Sequence, residues 1–248
     1  MNAKAKGLLW LALTAGLAVG AALGLPRLAG LLPWRVEKSL ARVHGAGFTG
    51  AACGERRPEA AAALAKMVAR LHPLSIDDAA FPLEVRVVFG LEANAFAGLG
   101  GRVSVYEGLV RESESPEELA GVLAHEIEHV RRRHVIEGVA ARLLTFGALR
   151  HLLGGGAEAA RTLLDLSYGR AQEREADQGG LERLRRARVG TAGYERFFAR
   201  DGGAFLPALL SDHPSSADRS ELVRGFRGGP ADPVLSDAEW VSLRSICR

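Results

Sequence analysis

The sequence is poor in lysine, cysteine and aromatic residues, and its net charge is small. Only 4 of its 32 basic residues are lysines, and 29 acidic residues leave a formal net charge of +3. So small a charge on 248 residues does not indicate a nucleic-acid-binding protein. Two cysteines are too few for a disulfide-rich scaffold or a four-cysteine zinc site.

The two cysteines, Cys53 and Cys247, lie far apart in the chain. In an oxidising compartment they would join the two ends of a folded domain, whereas in a reducing compartment they would be unrelated thiols. Both interpretations stay open on the sequence, and we favour the disulfide bond.

The first charge-free run of the chain covers residues 7–25. As a helix it would be about 28 Å long, close to the thickness of the hydrocarbon core of a bilayer. It is longer than the apolar region of most cleaved signal peptides, so an uncleaved signal-anchor is favoured over a cleaved signal. Either outcome predicts that the rest of the chain crosses the membrane, which in a bacterium would place the folded part on the periplasmic side of the inner membrane.

The composition of the whole chain, 48% hydrophobic and 25% charged, is typical of a folded protein. We divide the chain into an N-terminal segment 1–27, a lead-in segment 28–57 and a main domain 58–248. Periodicity predicts a helix over 58–71, a strand over 83–89, and two short strands around a glycine turn at 94–97 and 102–106. Mostly helices follow. Ser115 as N-cap and Pro116 at the first helical position predict the start of one of them. Residues 135–153 are predicted to form an amphipathic core or membrane-surface helix. This order predicts an α+β, mostly helical fold.

One helix of this domain carries the pattern H-E-x-x-H, at His125, Glu126 and His129. Residues four apart lie on one face of a helix, so both imidazoles can bind one Zn²⁺. Glu126 lies beside them and is the candidate general base for a zinc-activated water. The alternative is a solvated, charged helix face, since three arginines follow at 131–133.

Zinc in a catalytic site needs a third protein ligand and an open position for water. Three acidic residues on a later predicted helix are candidates: Glu173, Glu175 and Asp177. Glu173 and Asp177 are four residues apart on one face, which suits a ligand and a group behind it that orients a histidine. Periodicity does not choose among the three.

At these residues the chain resembles the gluzincin metallopeptidases, the family of the CAAX prenyl endopeptidases, the bacterial HtpX peptidases and the mitochondrial Oma-type peptidases. Four blocks carry the resemblance: 94–109 with its N-A-F-A start, 125–134, 170–177 and 212–219. The resemblance implies a zincin-like domain, one Zn²⁺ per chain, polypeptide substrates, Glu173 as third ligand and Asp177 behind the ligands. Two departures are Asp212, where threonine is usual, and Tyr168-Gly169, where serine is common.

The resemblance also suggests roles for three further parts of the chain. His213 would donate to the oxyanion or bind zinc when substrate is absent; its alternative is a structural loop histidine. Arg170 would hold Glu173 or Asp177; its alternative is a solvated charge. A substrate peptide would pair with an exposed edge strand beside the zinc helix, whose alternative is an ordinary internal strand. The residues predicted for that edge are Arg102, Val103, Ser104 and Val105.

These expectations define a membrane-tethered zinc endopeptidase that acts on unfolded or damaged proteins outside the cytoplasm. The quality-control role comes from the resemblance alone. The alternative is a latent protein of the same fold that acts as a chaperone or assembly factor, with its site blocked by residues 135–153 and His213. A prenyl-protein endopeptidase is disfavoured, because those relatives carry several membrane spans and this sequence predicts one.

Overall fold

The computed structural model describes residues 24–43, 51–73, 81–153, 168–200, 217–226 and 228–248. His213 and residues 1–23 of the predicted N-terminal segment lie outside this set. The chain divides into two compact units, Met1–Pro33 with Val135–Leu166, and Trp34–His134 with Ser167–Arg248. The larger unit contains the sheet and all the site residues discussed below.

The described residues form nine helices and three strands with named bounds. In chain order they are α1 Trp34–Val43, α2 Pro58–Leu71, β1 Glu84–Val88, β2 Ala95–Gly98, β3 Arg102–Tyr106, α3 Glu107–Glu112, α4 Pro116–Arg131, α5 His134–Leu153, α6 Arg170–Arg186, α7 Ala192–Arg200, α8 Ala217–Gly225 and α9 Asp237–Leu243. The predicted α+β, mostly helical class is confirmed. Among the described residues, no helix combines the length and apolar character that a bilayer crossing requires.

The three strands form one sheet in the order β1-β3-β2. β2 and β3 are an antiparallel hairpin around the predicted glycine turn, and β1 lies parallel to β3 on its other side. Gly101 permits this approach, because its φ is +86° and a Cβ atom there would lie 1.9 Å from the carbonyl oxygen of Pro82. The backbone nitrogen of Glu84 then donates to the carbonyl of Gly101 at 2.8 Å.

The prediction that residues 102–105 form an edge strand is therefore wrong. β3 is the central strand, paired on both sides, and Val103, Ser104 and Val105 are buried. Strand order depends on which distant segment fills the second side of a hairpin, and local alternation does not reveal it. Within the described residues β2 has a strand neighbour on one side only, whereas the outer side of β1 is met by a bridge between Ala52 and Val88.

Helix α4 crosses the core, and its residues from Glu118 to Val130 are all buried. It begins as predicted: Ser115 is the N-cap, its hydroxyl accepts from the backbone nitrogen of Glu118, and Pro116 follows it. Helix α6 packs against α4 through Gly179. A Cβ atom at Gly179 would lie 2.2 Å from Oε2 of Glu128, so the glycine is what lets the two helices approach.

Helix α1 is tied to both the sheet and the end of α4 by one buried carboxylate. Oε1 of Glu37 accepts from the backbone nitrogen of Gly100 at 2.8 Å, and Oε2 lies 2.8 Å from Nη1 of Arg133. The guanidinium of Arg133 also stacks over the ring of Trp34 at 3.7 Å. Burial raises the pKa of Glu37 despite these two partners. The lead-in segment is thus partly integrated into the larger unit.

Cys53 and Cys247 form a disulfide bond across 194 residues of sequence, so the favoured interpretation of the two cysteines is confirmed. The bond joins the segment before α2 to the end of the chain. Helix α9 packs on α2 beside it, where Lys66 and Glu239 form an ion pair at 2.7 Å. Closing so long a loop restricts the unfolded chain, and this is a stabilising effect.

Candidate metal centre

Two histidine side chains of α4 face the same point. His125 and His129 lie one helical turn apart, and their Nε2 atoms are 3.0 Å from each other. Both are buried, with exposures of 4% and 0%. The H-E-x-x-H segment is therefore in the interior of the domain, and the solvated-face interpretation is wrong.

Helix α6 brings a carboxylate to the same point. Oε1 of Glu173 lies 3.5 Å from Nε2 of His129, and Oε2 lies 3.5 Å from Nε2 of His125. Tetrahedral ligands about 2.0–2.2 Å from a zinc ion are about 3.3–3.6 Å apart, so these spacings fit a single ion. Two imidazole nitrogens and one carboxylate oxygen are also a donor set that zinc and other divalent transition metals accept. These three residues can hold one metal ion.

The structure separates the three acidic candidates that periodicity left open. Glu173 is fully buried among the donors. Asp177, also fully buried, contacts His125 from behind. The side chain of Glu175 is 52% exposed and contacts His134 instead of the three donors. The general-base candidate, Glu126, is fully buried on α4 next to His125.

Nδ1 of His125, the nitrogen that faces away from the other donors, has two polar partners. Oδ1 of Asp177 lies 2.9 Å from it, and the hydroxyl of Tyr194 lies 3.0 Å from it. The same hydroxyl donates to Oδ1 of Asp177 at 2.9 Å. Tyr194 belongs to α7 and no motif includes it, so the sequence analysis missed it; burial, with Asp177 nearby, raises its pKa well above the usual range.

Arg219 of α8 holds both acidic residues of α6. Its Nε donates to Oδ2 of Asp177 at 2.6 Å, its Nη2 donates to Oδ1 at 2.8 Å, and its Nη1 lies 2.7 Å from Oε2 of Glu173. Burial alone would raise the pKa of Asp177, but hydrogen bonds from Arg219 and His125 lower it to about 2. Asp177 is therefore ionised at neutral pH.

The role predicted for Arg170 belongs to Arg219. Arg170 is the first residue of α6 and is exposed, whereas Arg219 is buried and makes the contacts expected of Arg170. The signal for Arg219 was present, since it closes the fourth block of the resemblance. Proximity in sequence favours Arg170, whereas the fold brings Arg219 to the two carboxylates.

His129 has a different set of neighbours. Nδ1 of His134 lies 3.1 Å from Nδ1 of His129, and Nε2 of His134 lies 3.4 Å from Oε2 of Glu175. The ring of Tyr168 stacks on the ring of His129, with centroids 3.8 Å apart. Burial lowers the pKa of His134 to about 4, although Glu175 opposes the shift, so this ring is neutral at pH 7.

A buried ion pair next to the site fixes α4 against α6. Oε1 of Glu128 accepts from both Nε and Nη2 of Arg183, at 3.1 and 2.8 Å, and Arg183 also donates to the carbonyl of Leu71 on α2. Burial opposes ionisation of Glu128, but Arg131 and Arg183 lower its pKa below the usual value. The pair holds the two ligand-bearing helices in register.

Comparison with known proteins gives a family match over most of the chain. Residues 57–226 match peptidase family M48. The chain is 29% identical over 172 residues to a putative beta-barrel assembly-enhancing protease of Vibrio cholerae, and this match covers 58% of the chain and 34% of that protein. It is 36% identical over 150 residues to the mitochondrial metalloendopeptidase OMA1 of Arabidopsis thaliana, covering 56% and 30% of the two chains.

A third relative is the metalloprotease LoiP of Escherichia coli, 29% identical over 161 residues, with 58% of this chain and 62% of that protein covered. The aligned part of this chain thus spans between about one third and two thirds of the length of these three proteins.

Proposed function

Since this chain belongs to peptidase family M48, we propose that it is a metalloprotease, and more closely a zinc endopeptidase tethered to the membrane that cleaves unfolded or damaged proteins outside the cytoplasm. The observation that supports zinc hydrolysis best is the buried triad His125, His129 and Glu173, with donor atoms 3.0–3.5 Å apart. A bound zinc ion would polarise the substrate carbonyl and make a water molecule more acidic.

The chain's own residues supply the rest of the chemistry. Glu126 takes the proton of the attacking water and passes it to the leaving amine, as a buried carboxylate beside the ligands can do. Asp177 and Tyr194 hold Nδ1 of His125, which leaves Nε2 as the nitrogen that would bind a metal ion. Arg219 holds Glu173 through one oxygen, Oε2, at 2.7 Å.

An extended substrate would bind along β2. An edge strand offers backbone groups to an added strand, and among the described residues β2 is the strand with one free side. β2 also packs against α4, the helix with the two histidines. This replaces residues 102–105 with Ala95–Gly98 as the proposed substrate edge.

Two observations support a location outside the cytoplasm. A structural disulfide between Cys53 and Cys247 is typical of oxidising compartments. The charge-free run at residues 7–25 suits a signal-anchor, although residues 7–23 of it lie outside the described residues. Alkaline carbonate should leave the full chain in the membrane fraction, and its release would contradict the tether.

A role in assembly is the second candidate function. It is favoured by one observation: several relatives of this chain are named beta-barrel assembly-enhancing proteases. In that case the chain would bind an assembling protein, with its peptidase activity latent. His213, the predicted blocking residue, lies outside the described residues.

The decisive experiment compares the full chain with Glu126→Gln, purified in detergent. We expect one zinc per chain in both proteins and cleavage of unfolded casein by the wild type only, because glutamine cannot accept the water proton. Glu182→Gln is the matched control, since Glu182 is an exposed residue of α6 paired with Arg185.

Cleavage that survives Glu126→Gln would reject the proposed mechanism. Zinc bound at one equivalent without cleavage by the wild type would favour the assembly role. Loss of cleavage in Glu182→Gln as well would show that the assay reports a general defect of the variants.

A further inference from the structure

His134 is a buried residue for which the motif provides no role. It follows α4 by three residues, and it is the first residue of α5. Its ring is 3% exposed and meets the ring of His129 edge-on, with centroids 5.0 Å apart.

His134 is not placed to be a metal ligand. Its Nδ1 lies 3.1 Å from Nδ1 of His129, on the side of that ring opposite to Nε2. The donor atoms of His125 and Glu173 face Nε2 instead. His134 therefore lies behind the ligand and does not occupy a metal position itself.

The contact restricts where the protons lie. If Nε2 of His129 binds a metal, its lone pair points to the ion, so the ring proton must be on Nδ1. That N–H faces Nδ1 of His134, which must then accept, because two N–H groups cannot point at each other. Since Nδ1 of His134 accepts, the ring proton of His134 is on Nε2, where Oε2 of Glu175 lies at 3.4 Å.

Glu175 is in turn held by Arg132. Nη1 of Arg132 lies 3.3 Å from the same oxygen, Oε2, that faces His134. A continuous polar path thus runs from the metal ligand to the surface: His129, His134, Glu175 and Arg132. The directions of donation along this path agree: His129 donates to His134, His134 donates to Glu175, and Arg132 also donates to Glu175.

From this path we propose that His134 is the positioning residue of His129: it accepts the Nδ1–H of that ligand, fixes the tautomer that presents Nε2 to the metal, and stops the ring from rotating. Partners of this kind typically change metal affinity by about 10–100-fold when they are removed. The inference rests on the proposed metal centre.

The test uses a pair of nearly isosteric substitutions in the full chain, His134→Asn and His134→Leu. The side-chain oxygen of asparagine can take the place of Nδ1 as acceptor, whereas leucine has no acceptor. The dissociation constant for zinc is measured by competition with a chromophoric chelator, and the melting temperature of the metal-free chain is measured alongside.

We expect His134→Leu to bind zinc about 10–100-fold more weakly than the wild type, and His134→Asn to stay within about threefold of it. Unchanged affinity in His134→Leu, or equal loss in both variants, would overturn the proposal. If His134→Leu fails to fold, the pair His134→Gln and His134→Met makes the same comparison with a longer side chain.

The readout separates this inference from the proposed activity. A wild-type chain that binds zinc but cleaves no peptide would reject the endopeptidase and leave the affinities of the His134 variants decisive. A wild-type chain that binds no zinc would overturn both proposals.

Discussion

The two histidine ligands come from one helix and face one point, yet their outer nitrogens are held in different ways. Nδ1 of His125 faces a buried carboxylate, Asp177, which a buried arginine holds with two hydrogen bonds. Nδ1 of His129 faces the neutral ring of His134, whose carboxylate partner is 52% exposed. The two histidines of the motif therefore differ in their partners. His125 is supported by a charged, buried carboxylate, whereas His129 is supported by a neutral ring whose own partner is exposed to solvent.

The difference has a structural origin. The support of His125 combines residues of three helices, Asp177 on α6, Tyr194 on α7 and Arg219 on α8. The support of His129 is more local, because His134 lies three residues after the end of α4. A site that depends on distant helices is formed only when the domain is folded, so we expect its loss to cost more stability.

The largest effect is expected from Asp177→Asn. Asparagine keeps the size of the side chain and an acceptor for His125, but it removes the charge that faces the buried guanidinium of Arg219. Breaking a buried ion pair from one side costs about 3–5 kcal/mol, so the free energy of unfolding should fall by that amount. Denaturant titration of the metal-free chain measures it.

Asp232→Asn is the matched control for that experiment. Asp232 is also paired with an arginine, Arg188 at 2.7 Å, but both side chains are more than half exposed. Because water screens such a pair, this variant should unfold almost like the wild type. Equal losses of the free energy of unfolding in the two variants would mean that the buried ion pair behind His125 stabilises the fold no more than an exposed pair does.

The second prediction concerns packing on the His129 side. Tyr168 stacks on the ring of His129, and this residue stands where the resemblance led us to expect serine. Tyr168→Leu should weaken the fold by about 0.5–1.5 kcal/mol beyond the apolar area that it loses, and Tyr168→Phe should retain the stacking contribution. Denaturant titration of both variants checks this.

A loss in Tyr168→Leu as large as that in Asp177→Asn would remove the contrast between the two sides. If Tyr168→Leu and Tyr168→Phe unfold alike, the stacked ring does not stabilise His129. The smaller expected effect follows from the physics of the contact, since a stacked ring pair contains no buried charge that is left without its partner.

The parts of this architecture that the sequence could predict are those set by local patterns. Ser115 and Pro116 marked the start of α4, and the spacing of His125 and His129 predicted their shared face. The hairpin of β2 and β3 followed from its glycines. In each case residues within one turn or one hairpin determine the result.

The parts that it could not predict depend on contacts between distant segments. The central place of β3 follows from the arrival of β1 on its free side, and Tyr194 reaches His125 from 69 residues away. Periodicity does not distinguish Glu173 and Asp177 from Glu175, so their roles came from the resemblance. No local pattern indicates the role of Arg219 either, because its partners are 42 and 46 residues distant in sequence.

The smallest effect is expected from Glu175→Gln, at the solvent end of the path behind His129. Glutamine keeps an oxygen that can accept from Nε2–H of His134, and it loses only the charge that faces Arg132. Because the Glu175 side chain is half exposed, water screens that charge, and zinc affinity should change by threefold at most, roughly. Competition with a chromophoric chelator measures it, beside His134→Leu. Since hydrogen bonding and charge are separated in this variant, a loss as large as that of His134→Leu would show that a carboxylate acts through His134. Both histidine ligands would then depend on an anion, and the contrast between them would be one of distance rather than of kind.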